Sequence, residues 1–186
     1  MDKFYERKIS HSMRQHKMSD AVFDIKQLNE AGVFAGYASV FDIVDSQSDI
    51  IQHGAFSRSI TGRKNDIKLL WQHALHEPIG VIEELHEDKH GLYIKGRLLM
   101  DVAKAREAYS LLKEGVVKGL SIGYSPKRYR IDSASGVRHI SDVDLWEVSL
   151  VTFPANDAAQ ITVVKSTLPE DAHIMQALDT AISALQ

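Results

Sequence analysis

A mainly antiparallel, barrel-like β-sheet with a few helices packed outside it, an α+β fold, is what this chain predicts, and three observations carry that expectation. Six segments favour strand by β-branched or aromatic content and by alternation. Only one segment among them has clear helical periodicity. No strand–helix–strand alternation of the kind that builds a parallel sheet is present, and no internal repeat.

Taken in order, the chain has three zones. Residues 1–20 are polar and poor in aliphatic side chains, so they read as a flexible extension that cannot bury enough apolar surface to offset its ordering entropy. Residues 21–165 form the folded domain. Its strands are expected at "FAGYASVF", "IKLLW", "IGVIEEL", "LYIKGRLL", "VKGLSIGY" and "HISDVDLWEVSLVTF". A short helical turn is expected around Ala55 to Ile60. The clear helix begins with Asp101 as its cap, carries Val102, Ala105, Tyr109 and Leu112 as its apolar stripe, and ends at Gly115. Residues 166–186 read as a linker followed by an amphipathic helix, with Ile174, Leu178, Ala181, Ile182 and Leu185 on one face. That face wants a partner, either the domain's own core or another subunit.

Composition narrows the function. A chain of 186 residues with 44% hydrophobic and 25% charged content is long enough for one substantial core. With 22 basic and 25 acidic residues it has no global pull toward nucleic acid or anionic membrane. No apolar run reaches membrane-spanning length, and the charged N-terminus lacks the apolar stretch of a signal peptide, so a cytosolic protein is expected. The absence of cysteine removes disulfides, thiolate metal sites and a cysteine nucleophile together. Covalent catalysis here would fall to a serine or threonine hydroxyl.

One serine stands out. In "KGLSIGYSP", Leu120, Ile122 and Tyr124 share one strand face and Gly119, Ser121 and Gly123 the other. The hydroxyl of Ser121 thus lies on a bare strip of backbone, where an incoming chain has room to approach. The plain alternative is a glycine-bent strand with an incidental serine. In "DVDLWEVSLVTF", alternation groups Val143, Leu145, Glu147, Ser149, Val151 and Phe153, with Asp144, Trp146, Val148, Leu150 and Thr152 opposite. Glu147 is then a carboxylate among apolar neighbours, costly unless paired, either with a basic side chain or with a histidine that it orients.

Of nine histidines, His73 is the best placed for such a pairing. It follows the apolar strand "IKLLW" and precedes a turn expected at Pro78 and Gly80, which puts it at a sheet rim. His73 with His76, and His86 with His90, also offer pairs for a metal, but no HExxH or related pattern accompanies them, and neither metal nor cofactor is expected.

The motifs are recognisable as a set. "GYASVFDIVDSQSDIIQHGAF", "LLWQHALHEPIG", "GLYIKGRL", "EGVVKGLSIGY" and "LWEVSLVTFPANDAA" occur in that order over roughly Ala35 to Val164. Together they resemble the prohead maturation serine protease family of tailed bacteriophages, itself similar in fold and catalytic logic to the herpesvirus capsid-assembly protease. The resemblance implies a herpesvirus-protease-like fold and a serine endopeptidase with Ser121 as nucleophile, His73 as general base and Glu147 as the favoured third member, Asp144 being the lesser candidate. It also implies that the substrates are capsid-protein or scaffold segments and the protease itself, cut inside the assembling prohead in the bacterial cytoplasm. A homodimer built through the C-terminal helix is open on this reading. So is a capsid-internal structural or scaffold-like protein whose peptidase site has decayed.

Overall fold

The longest doubly apolar stretch of the sequence becomes the strand to which the rest is joined. The computed structural model describes residues 32–164. The expected N-terminal extension, and the linker and helix expected over 166–186, lie outside those residues. Within them the chain forms β1 (Val33–Val40), β2 (Asp49–Ile51), α1 (Ser57–Ile60), a 3-10 turn (Lys64–Asp66), β3 (Lys68–Trp71) and β4 (Ala74–Glu87). It continues through β5 (Gly91–Leu98), α2 (Ala103–Lys113), β6 (Gly119–Ile131), β7 (Arg138–Val151) and β8 (Ile161–Val164).

β7 carries apolar side chains on both faces, and Val143, Leu145, Val148 and Leu150 are all buried, while Trp146 is exposed. One edge of β7 pairs along nearly its whole length with β6, from Gly119 opposite Val151 to Ile131 opposite Arg138. The other edge carries two short parallel neighbours, β2 at residues 138–140 and β3 at residues 147–150. α1 fills the gap between them. Val143 donates its backbone N–H to the Ala55 carbonyl, and the buried Ser59 hydroxyl donates to the Val143 carbonyl (2.7 Å) while accepting the Leu145 N–H (2.7 Å). The edge's polar groups are therefore satisfied without a strand, as a buried backbone requires.

From β3 the sheet continues through β4, β5, β1 and β8. It curls into a half-barrel until its ends approach. At the seam, Gly119 bridges Gln160, the Leu120 N–H donates to the Ala159 carbonyl and the Ile161 N–H donates to the Lys118 carbonyl. A Cβ on Gly36 would lie 2.3 Å from the Gln160 carbonyl oxygen, so only glycine lets β1 come this close to the β8 end of the seam. Phe34, Leu69, Ile94, Leu120 and Leu145, each at 0–1% exposure, fill the interior, where burial of such a side chain contributes about 1.5–3 kcal/mol.

The six expected strands and both helical segments are present. Five strand pairings are antiparallel, but β2 and β3 run parallel to β7, so the sheet is mixed. Both strands reach β7 across long stretches of chain and not through hairpins, which frees them to align either way. The very short β2 and β8 show too little alternation to be read from sequence. α2 buries Ala105, Ala108, Tyr109 and Leu112 and stops at Gly115, whose φ of +68° suits glycine. Its cap residue is Val102 and no side chain caps it, so Asp101 sits one residue too early for the role expected of it. Pro78 and Gly80 lie inside β4, where Gly80 lets the Arg97 carbonyl approach, and not in a turn. The chain instead reverses at Gln72 and His73.

Candidate active site

Gln72 and His73 are the two residues between β3 and β4, with Trp71 opposite Ala74. Both have positive φ, +51° and +61°. Two central residues in the left-handed region make the primed type of hairpin turn, which Asn-Gly usually supplies because a β-carbon is strained there. The strain is held by hydrogen bonds. The Gln72 N–H donates to the Leu150 carbonyl (2.9 Å), and the His73 N–H donates to the Ser149 hydroxyl (3.1 Å). Both acceptors sit on β7, so the turn is fastened to the strand beside it.

Glu147 stands on that same strand at 2% exposure. Its Oε1 lies 2.6 Å from Nδ1 of His73, and its Oε2 accepts the Ser149 hydroxyl at 2.7 Å. A buried carboxylate with a partner on each oxygen is what lets a charge survive in this setting. The hydrogen bond from Glu147 raises the pKa of His73 above the usual 6.5, against the opposing effect of burial, and the carboxylate's charge adds to the rise. With Nδ1–H given to the carboxylate, Nε2 makes no hydrogen bond among the described residues and is left as the basic nitrogen.

Ser121 lies opposite Ser149 across the β6–β7 ladder, and Gly123 opposite Glu147. Ser121 and His73 line the same cleft, a space of about 760 Å³. Ser121 is 7% exposed and its hydroxyl makes no hydrogen bond, to His73 or otherwise, among the described residues. The contact between nucleophile and base is the one that commonly tightens only with substrate bound.

The two glycines that flank Ser121 do not leave the strip bare. A Cβ on Gly123 would stand 2.3 Å from Glu147 Oε1 and 2.6 Å from Trp146 Nε1, and one on Gly119 would stand 2.8 Å from Pro154 Cδ. The room expected for an approaching chain is taken by the carboxylate and by the loop after β7. The open approach lies along the outer edge of β6 instead. Leu120 turns its N–H outward to Ala159, so Ile122, two residues on, also points its backbone groups outward, and among the described residues no strand is paired there. An unpaired edge of this kind can take an extended peptide as an added strand.

The loop from Thr152 to Ala159 forms the opposite wall. Gln72 grips it, with Nε2 donating to the Thr152 hydroxyl (2.9 Å) and Oε1 accepting the Thr152 N–H (3.3 Å). The Asn156 side chain donates to the Val40 carbonyl, and Ser46 donates its N–H to the Ala155 carbonyl. The Ala158 and Ala159 amides bond back to Asn156. Ala155, Asn156 and Asp157 line the cleft, and their backbone N–H groups make no hydrogen bond among the described residues. At the far end, the buried Asp49 receives two hydrogen bonds from Arg138 and one from the Tyr124 hydroxyl (3.0 Å), and burial raises the pKa of neighbouring Asp45.

Asp144 is engaged elsewhere. Its carboxylate pairs with Arg63 at 2.9 Å and Lys127 at 3.6 Å, and the Arg63 hydrogen bond holds it below the usual carboxylate range. His86 and His90 pack edgewise or tilted against Tyr93 and Tyr37, and among the described residues no three His, Asp or Glu side chains converge as metal ligands would. No helix among those residues is long and apolar enough to cross a membrane. Sequence reasoning did not single out Ser149, Gln72 or the Asp49–Arg138 pair. Ser149 had a visible signal, since it falls two residues after Glu147 on the same strand face.

A family model described as caudovirus prohead serine protease matches residues 20–173. The chain is 35% identical over 137 residues to the prohead protease of Enterobacteria phage HK97, covering 73% of this chain and 61% of that one. It is 30% identical over 142 residues to the prohead protease of Escherichia phage T5, covering 75% of this chain and 67% of that one. The chain thus spans about three fifths to two thirds of the length of these relatives. Among solved structures, the capsid assembly protease of bacteriophage T4 superposes with a TM-score of 0.52 at 12% identity, over 64% of this chain and 82% of that one. At that identity the likeness concerns the fold alone.

Proposed function

The chain belongs to the caudovirus prohead serine protease family, and from that premise we propose that it is a serine endopeptidase that cleaves capsid-protein or scaffold segments, and itself, during maturation of the prohead. The observation that carries the reading is the 2.6 Å contact between the buried Glu147 and His73, which lines the same cleft as Ser121. Ser121 is the nucleophile. As its Oγ attacks the peptide carbonyl, His73 Nε2 takes the proton and later delivers it to the leaving amine. Glu147 holds the ring in the tautomer that leaves Nε2 basic, and stabilises the imidazolium as it forms. The substrate lies as an extra strand along Ile122, with the free amides between Ala155 and Asp157 facing the developing oxyanion, a contribution worth about 2.7–4 kcal/mol per donor. Water then hydrolyses the acyl-enzyme with His73 acting again as base.

On this reading the fold is like that of the herpesvirus proteases and the work is done inside the assembling shell in the host cytoplasm. Co-expression with the shell components, followed by mass spectrometry, tests it. The wild-type chain should cut shell components and its own termini, and Ser121→Ala should leave them intact with an unchanged melting temperature. Cleavage that persists in the folded Ser121→Ala chain overturns the assignment.

A further inference from the structure

We propose that Ser149 is a positioning residue, whose hydroxyl locks the Glu147 carboxylate and the main chain of His73 into one working arrangement. The proposal rests on the serine-protease reading above. A hydroxyl has one proton to give and two lone pairs to receive with. At Ser149 the proton goes to Glu147 Oε2 (2.7 Å) and a lone pair takes the His73 N–H (3.1 Å). The side chain is at 0% exposure, so water cannot replace either bond.

Position explains why this residue and no other can do it. β7 lies between β3 and β6, and Ser149 is the residue paired with Leu70 on one side and with Ser121 on the other. It therefore stands where the histidine's strand and the nucleophile's strand meet. A carboxylate held at one oxygen can rotate about its last bond; held at both, it keeps Oε1 on Nδ1 of His73. The second bond acts on the histidine itself, because a non-glycine residue at φ +61° needs an external hold on its backbone. Ser149 is also a second serine beside Ser121, but its proton is committed and its oxygen is sealed from the cleft, so it does not compete as nucleophile.

The test is the rate at which a fluorophosphonate probe labels the purified full chain, with the low-field Nδ1–H proton signal of His73 as a readout that does not depend on activity. Ser149→Ala should slow labelling about 10–100-fold, as loss of an orienting partner typically does, and should weaken or shift that proton signal. Ser149→Thr and Ser149→Val crowd the site equally and differ only in the hydroxyl. Thr should recover much of the rate and Val should not. Equal rates for Thr and Val, or wild-type labelling in Ser149→Ala while Ser121→Ala is unlabelled, overturn the positioning role. Labelling that persists in Ser121→Ala sinks the nucleophile assignment instead; Ser149 is then judged by the proton signal, and an unchanged signal in Ser149→Ala overturns it.

Discussion

His73 is the residue whose chemistry is most directly set by a neighbour. Its pKa is raised by Glu147, and a general base works only when neutral, so probe labelling should rise with pH through a midpoint above 6.5. Glu147→Gln should lower that midpoint and reduce the rate about 10³–10⁴-fold, because an amide neither stabilises an imidazolium nor favours the working tautomer. The same coupling has a sign for stability. A raised folded pKa stabilises the fold at pH below the unfolded value, and that contribution is lost as pH rises through the folded one. Removing His73 should accordingly cost more stability at about pH 5.5 than at about pH 9, as denaturant titrations would measure. At this scale the sequence was informative. Alternation separated Glu147 from Asp144, and the structure finds Asp144 occupied by Arg63 and Lys127. The turn that aims His73 was not legible, because Gln-His carries no mark of a conformation usually left to Asn-Gly.

Among the elements, β6 and β7 show how a glycine can serve a side chain on the next strand. The Cβ added by Gly123→Ala meets the Glu147 carboxylate at 2.3 Å, and that oxygen is already fixed by His73. The variant should lose about 1–3 kcal/mol of stability and more activity than the unfolded fraction explains. A chain with full stability and full labelling would show that the carboxylate yields freely, contrary to the packing. The pattern Gly119-Leu120-Ser121-Ile122-Gly123 was visible as an anomaly before the fold was known, but its cause sat on another strand. Local windows revealed six of the strands and α2, since alternation and a 3.6-residue stripe are local properties. They could not reveal that α1 would complete the edge of β7, because that depends on which strand ends arrive there.

At the largest scale the described residues form a sheet bent back until β6 and the approach to β8 meet, and beside that seam Gly36 packs closely against Gln160. Gly36→Ala should push that backbone away and speed amide hydrogen exchange in Ile161–Val164, while the middle of β7 stays protected; unchanged exchange would mean that the seam has slack. The parallel pairings escaped sequence reading for a related cause, since they join partners as far apart as Asp49 and Arg138, 89 residues along the chain. That separation also bears on timing. β7 leaves the ribosome after both the imidazole and the nucleophile, so on the proposed roles a growing chain carries a base with no acid behind it. On those roles cutting power arrives only when synthesis has delivered β7, and each copy would start life harmless to the polypeptides made around it.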